Sequence, residues 1–160
     1  MNKKFRVILI FGFVLLFFMG CADKLTSPQS ELILTSVNEN APLIYSESNQ
    51  ETSATFAIST VNGVDVSITG YTLSFFHENM TPVSDSTLNR SGAISVYIEG
   101  YSEQTVTLEI VTPRIIEYMK GNPESSEDDS EILTARVTFV GVDINENQIS
   151  ITGNVEIVSR

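Results

Sequence analysis

Few residues in this 160-residue chain could do chemistry, and most of them stand alone. Cys21 is the single thiol, so an internal disulfide, a thiolate metal cage and a dithiol redox pair are all closed to the chain; one nucleophilic sulfur remains. His77 is the single imidazole. It follows Phe75-Phe76 and precedes Glu78, which sets a base beside a carboxylate, but no motif places a nucleophile for it, and it reads as a strand-end or surface side chain. The run Glu124-Ser-Ser-Glu127-Asp128-Asp129-Ser-Glu131 puts five carboxylates within eight residues. Crowded carboxylates relieve their repulsion by binding a hard cation such as Ca²⁺, which takes roughly six to eight oxygens; the same run also fits a solvated loop.

Asp143, Asn145 and Asn147 have the opening spacing of a calcium loop. Gln148 stands where that loop needs Gly and Asn154 where it needs a bidentate Glu, so the acidic tip of a hairpin is expected there, with weak cation affinity at most. The sequence carries no Gly-rich phosphate loop, no His pair at metal spacing and no nucleophile elbow. With 20 acidic residues, spacing alone selects no carboxylate pair for glycoside hydrolysis. A non-enzyme is expected, with no cofactor beyond that candidate Ca²⁺.

What positions Cys21 is the segment before it. Lys3, Lys4 and Arg6 lead into an apolar run of 13 residues, Val7 to Met19, broken only by Gly12. A basic lead, a short apolar stretch and a small-residue boundary make an export signal. Spanning a bilayer as a helix takes about 18 to 20 apolar residues, more than this run has. The boundary Phe18-Met19-Gly20-Cys21-Ala22 resembles a bacterial lipoprotein signal, although Phe18 and Met19 stand where that family usually carries Leu and Ala or Ser. The resemblance implies cleavage before Cys21, a diacylglycerol thioether on its sulfur and an acylated amino terminus, with chains such as palmitate. Gly20 and Ala22 also satisfy the small-x-small pattern of an ordinary secretory site, with cleavage after Ala22. Residues 21–30 then form anchor and tether: they are polar, lack periodicity and contain Pro28.

Without residues 1–20, six basic residues face 20 acidic ones, a formal charge of −14. Such a chain is repelled by phosphate backbones, since nucleic-acid affinity comes chiefly from Lys and Arg releasing counterions, and adsorption to anionic lipid is disfavoured for the same reason.

From Glu31 onward the pattern is period-two alternation, the signature of strands with one buried face. Five runs carry it plainly: Val66 to Phe76, Gly92 to Gly100, Thr105 to Thr112, Leu133 to Val142 and Ile149 to Ile157. Leu32 to Val37 and Thr55 to Val61 are less regular, and the total is seven. All five Pro residues fall outside these runs, as ladder hydrogen bonding requires. Ser and Thr supply 34 of the 140 residues after Gly20, a composition suited to sheets with one wet face. A tight hairpin at Asn62-Gly63 would put Phe56 and Ile58 on the wrong face, so either both faces are partly covered or, as expected here, Gly63 lies in a bulge or a longer connection between sheets. Near 113–120 the order Thr112-Pro113…Lys120-Gly121 predicts one helical turn. Asn79-Met-Thr81, Asn89-Arg-Ser91 and Asp85-Ser86-Thr87 fit glycan-acceptor triplets and mark residues 79–91 as an exposed loop.

Two stretches resemble immunoglobulin-like β-sandwich modules of bacterial envelope lipoproteins and surface proteins. Thr60-Val-Asn-Gly63 through Ser67-Ile-Thr-Gly-Tyr-Thr-Leu-Ser-Phe75 is similar to their early strand pair, and Val137 to Asn147 followed by Ile149 to Val158 to their closing hairpin. The resemblance implies an all-β, immunoglobulin-like antiparallel sandwich over residues 31–160, held outside the cytoplasm in the cell envelope, on the outer or cytoplasmic membrane. The function expected is that of a lipid-anchored, non-catalytic binding or structural module. Its partners would be the membrane, through acylated Cys21, and another envelope protein or a glycan. A calcium-stabilised adhesion or glycan-binding module and a secreted domain with an enzymatic activity are the alternatives.

Overall fold

In the computed structural model, residues 28–46, 50–121 and 132–159 are described. Eight strands form two sheets. The first holds β1 (Leu32–Val37), β3 (Ser53–Thr60) and β6 (Glu103–Glu109), in the order β1-β3-β6. The second holds β2 (Leu43–Tyr45), β4 (Val66–His77), β5 (Arg90–Ile98), β7 (Ile132–Asp143) and β8 (Gln148–Ser159), in the order β2-β8-β7-β4-β5. All pairs are antiparallel except β2 with β8. In the immunoglobulin scheme β1, β3 and β6 occupy positions A, B and E of one sheet, and β4, β7 and β8 positions C, F and G of the other. The chain is an all-β, immunoglobulin-like sandwich.

The strand beyond the expected seven is β2. Only three residues long and preceded by Pro42, it is too short to display a period, and it forms because the first strand is broken in two. Asn38, Glu39 and Asn40 have φ values of 46°, 54° and 62°, three left-handed residues in a row. Asn tolerates that region better than most residues, and Asn38 Nδ2 secures the turn by donating to Ala41 O at 2.9 Å. The kink carries the chain from the first sheet to the second, where Leu43 is buried against β8.

Gly63 lies, as its neighbours' hydrophobic phase demanded, in the connection between sheets, with φ +69°. Phe56 and Ile58 therefore face the core from β3 while Val66 and Ile68 face it from β4. Within β4 the buried set shifts from Val66 and Ile68 to Leu73 and Phe75, from even to odd numbers. A register shift between Ile68 and Gly70, against both β5 and β7, supplies the extra residue that keeps both sets on one face. The crossover after β6 is a nine-residue helix, α1 (Pro113–Gly121), longer than the single turn expected. Burial explains the length, since Ile115 and Met119, four apart, both close onto the core.

The two sheets meet at Phe56 and Phe139, whose rings pack edge to face with centroids 5.3 Å apart. Both are fully buried. They sit on the strands at positions B and F, which antibody domains join with a disulfide. Truncating Phe139 to Ala should cost about 3 to 5 kcal/mol, whereas Val140→Ala, on the outer face of the same strand, should cost under about 0.5 kcal/mol. Urea unfolding of the two variants checks this; equal midpoints would refute the assignment of the core.

Candidate functional site

Strand directions give the sandwich two poles. The chain enters at one, where β1, β4, β6 and β8 begin and β3, β5 and β7 end. At the opposite pole lie the 38–42 kink, the β4–β5 loop and α1.

Residues 28–30 are bound to the entrance pole rather than free. Ser30 N donates to Asp143 Oδ2 at 3.0 Å and Ser30 Oγ to Val64 O at 3.2 Å. Asn145 Nδ2 reaches Pro28 O at 2.9 Å, Gln29 Nε2 reaches Gln148 O at 3.1 Å, and Asn62 Nδ2 donates to Gln29 O. Asp143 is the hub. It is 3% exposed, and its other oxygen accepts from the backbone N–H groups of Asn145 and Asn147, both at 2.9 Å, while Oδ2 also takes Asn147 Nδ2 at 2.9 Å. Burial would raise the carboxyl pKa. The hydrogen bonds from the Asn147 side chain and from the N–H groups of Ser30, Asn147 and Asn145 outweigh burial and hold it below the usual value.

Four donors use all the lone pairs of this carboxylate. Asp143 thus organises the hairpin tip expected at 143–147, with these amide donors on both carboxylate oxygens. Sequence spacing could not reveal this, because Ser30 lies 113 residues away from Asp143.

Against the opposite pole lies a cleft of about 470 Å³. Its walls are the kink residues Asn40, Ala41 and Pro42 with Val37, the tip residue Met80, and Thr134, Asn154, Val155 and Glu156 of the β7–β8 pair. Apolar Val37, Pro42, Met80 and Val155 alternate with the amides of Asn40 and Asn154, the Thr134 hydroxyl and the Glu156 carboxylate, an open and evenly mixed lining. Met80 is held over it by a strained tip, with φ 61° and its N–H donating to His77 O at 2.8 Å. At the rim Arg136 Nε donates to Asn154 Oδ1 at 3.3 Å, and its guanidinium lies 4.3 Å from the centroid of Phe76. Along the cleft β8 is hydrogen-bonded only on its β7 side: β2 pairs with Ile157 to Ser159 and, among the described residues, no strand pairs with the outer edge from Ile149 to Glu156, although the Leu34 and Val37 side chains of β1 pack close to Gly153. Nothing in the sequence pattern marked this site, because it arises from the kink.

His77 stands at the end of β4, half-buried, with Nε2 3.5 Å from the Tyr118 hydroxyl. Its partner is thus a phenol on α1, not Glu78. Asn79 Oδ1 accepts from the Thr81 N–H and hydroxyl, and Asp85 caps the turn at Ser86–Leu88, but the 79–91 stretch is not wholly exposed: Val83 and Leu88 are buried and Arg90 opens β5. Cys21 and the acidic run Glu124, Glu127, Asp128, Asp129 and Glu131 lie outside the described residues. Among the described residues no group of three His, Cys, Asp or Glu is placed to hold a metal, and no helix is long and apolar enough to cross a membrane.

The Asp143 hub carries a pH signature. A carboxyl whose folded pKa lies below its unfolded value, about 3.9, lends stability above that value and loses it as pH falls through the folded one. Urea unfolding between pH 6 and pH 2 should therefore show stability falling below about pH 4. Asp143→Asn should lower stability by about 1 to 3 kcal/mol at pH 6 by orphaning buried donors, and should fall less steeply in acid. An unchanged acid slope in the variant would count against the hub.

No family model matches the chain, and no curated protein matches it. Among solved structures it is similar to the one titled "Crystal Structure of the Periplasmic Chaperone SfaE", at 12% sequence identity and a TM-score of 0.35. The match covers 81% of this chain and 57% of that one, so the chain spans little more than half of its neighbour's length. At that score the likeness carries no argument, and the fold rests on the strand order itself.

Proposed function

We propose that the protein is a non-catalytic binding module, tethered outside the cytoplasm through acylated Cys21, that takes an extended segment of another envelope protein into the cleft at its opposite pole. The observation that carries this reading is the pairing of a walled cleft with an unpaired strand edge. Along β8 the backbone N–H and C=O groups of the outer edge can accept an added strand, while the Met80, Pro42 and Val37 side chains supply apolar contact and Asn40, Asn154 and Glu156 supply polar ones. Natural sandwiches rarely leave such an edge open without guarding it with charge, bulges or Pro. Here Pro42 stops β2 from extending along β8, so the edge is kept open by the protein's own kink.

The polarity of the molecule supports the tethered arrangement. The chain enters at the pole held by Asp143, and six residues, 22–27, separate Cys21 from Pro28. They reach about 20 Å when extended. The cleft then faces away from the membrane, toward whatever lies in the envelope.

Two measurements test the proposal. Mass spectrometry of the chain produced with its leader in bacteria should find residue 21 at the amino terminus carrying a diacylglycerol thioether; an unmodified thiol, or a chain starting at residue 23, would remove the anchor. A photo-crosslinking amino acid in place of Met80 or Asn154, activated in living cells, should trap one envelope protein that the same group at Val140 does not. Adducts identical at all three positions, or a trapped glycan in place of a protein, would remove the peptide-binding reading.

A further inference from the structure

Of the seven large apolar side chains most open to water among the described residues, four gather at the pole where the chain enters: Val61, Tyr97, Tyr101 and Ile144. Tyr101 is 77% exposed, Ile144 69% and Tyr97 53%. Each connection at that pole contributes one. Val61 follows β3, Tyr101 lies between β5 and β6, and Ile144 lies between β7 and β8, with Tyr97 near the end of β5.

These residues share one scaffold. Asp65 accepts from the Tyr97 hydroxyl and from Gly100 N at 2.8 Å, and its carbonyl takes Ile144 N at 3.0 Å. The Tyr101 ring lies so close over Gly63 that a Cβ there would come within 2.5 Å of it. Tyr101 is held at φ 61°, a conformation that a bulky side chain rarely adopts. Strain kept at an exposed aromatic tip points to use of that tip. No Lys or Arg stands at this pole among the described residues, while Glu31, Glu99, Glu103 and Glu146 do, beside Asp65 and Asp143.

We propose that these tips rest in the headgroup layer of the membrane that holds the anchor, an inference that depends on the acylation of Cys21 proposed above. A tether of six residues keeps this pole within about 20 Å of the bilayer, so the lipid surface is the partner always at hand, at high effective concentration. Tyrosine suits that layer, where an apolar ring and a polar hydroxyl are both satisfied. The carboxylates of this pole, with no Lys or Arg among its described residues, select a zwitterionic surface over an anionic one. Seating there also fixes the orientation of the cleft, which a loose leash alone would leave free.

The chain has no Trp, so each substitution to Trp introduces a single reporter. Full-length protein, made with its leader in bacteria and checked by mass at residue 21, would be reconstituted into vesicles of phosphatidylethanolamine and phosphatidylcholine with or without brominated acyl chains. Emission from Tyr101→Trp and Ile144→Trp should shift to the blue and lose most of its intensity in the brominated vesicles, while Met80→Trp at the other pole keeps both. Acylated Cys21 with unquenched emission at both tips would overturn the seating and leave the anchor standing. An unmodified thiol would overturn the anchor and the seating together. A blue shift seen in native envelopes but absent from vesicles would put a protein against the patch and would likewise overturn the inference.

Discussion

The contact between Phe56 and Phe139 is what makes one body of two sheets. Each sheet satisfies its own backbone through its ladders, but ladders run within a sheet and do nothing to hold it against the other. That task falls to side chains at the centre, and the chain has no second cysteine with which to share it. The edge-to-face ring pair sits at the middle of a layer in which Ile58, Ile68, Leu73, Phe75, Val137 and Ile157 are all buried. Once that layer is closed, the positions of the loops follow. The kink, the Met80 tip and the Tyr101 tip are all held at fixed distances from one another by a core that they do not themselves form.

Most of the sandwich was legible in the chain because burial on one face writes itself into a strand as alternation. The runs at 66–76, 92–100, 105–112, 133–142 and 149–157 needed no partner to be seen, and Leu32 to Val37 has the bounds that the structure gives β1. Even the misfit at Asn62-Gly63 was informative, since a longer connection between sheets, one of the ways to resolve the conflict between Phe56 and Val64, is the one the structure takes. What stayed hidden was structure made by long-range closure. β2 exists because three left-handed residues aim it at β8, and three residues cannot show a period. The helix outgrew one turn because Met119 found a buried place, which is a property of the core and not of the segment.

The candidate site divides in the same way. The lipidation expected at Cys21 rests on the residues just before it, a local pattern, and Cys21 itself lies outside the described residues. The cleft was not legible, because its walls come from residues 37–42, 80, 134 and 154–156, which nothing in the primary order draws together. Asp143 was visible as the acidic tip of a hairpin, but not as a hub for the incoming chain. Its spacing to Asn145 and Asn147 suits a cation or a polar tip, and only the arrival of Ser30 turns the carboxylate inward and fills it with amide donors.

The direction of β1 has a mechanical meaning. Leaving Ser30, it runs away from the pole where the chain enters, flush against β3, while β8 ends at the far side. Hydrogen bonds in an antiparallel ladder lie across the strands, so a tug between a fatty anchor and a partner gripped at the far pole would load the whole β1–β3 ladder in shear. The bonds would share the force together instead of opening one after another like a zipper. The fold thus resists strain best along the axis from its entrance pole to the far one.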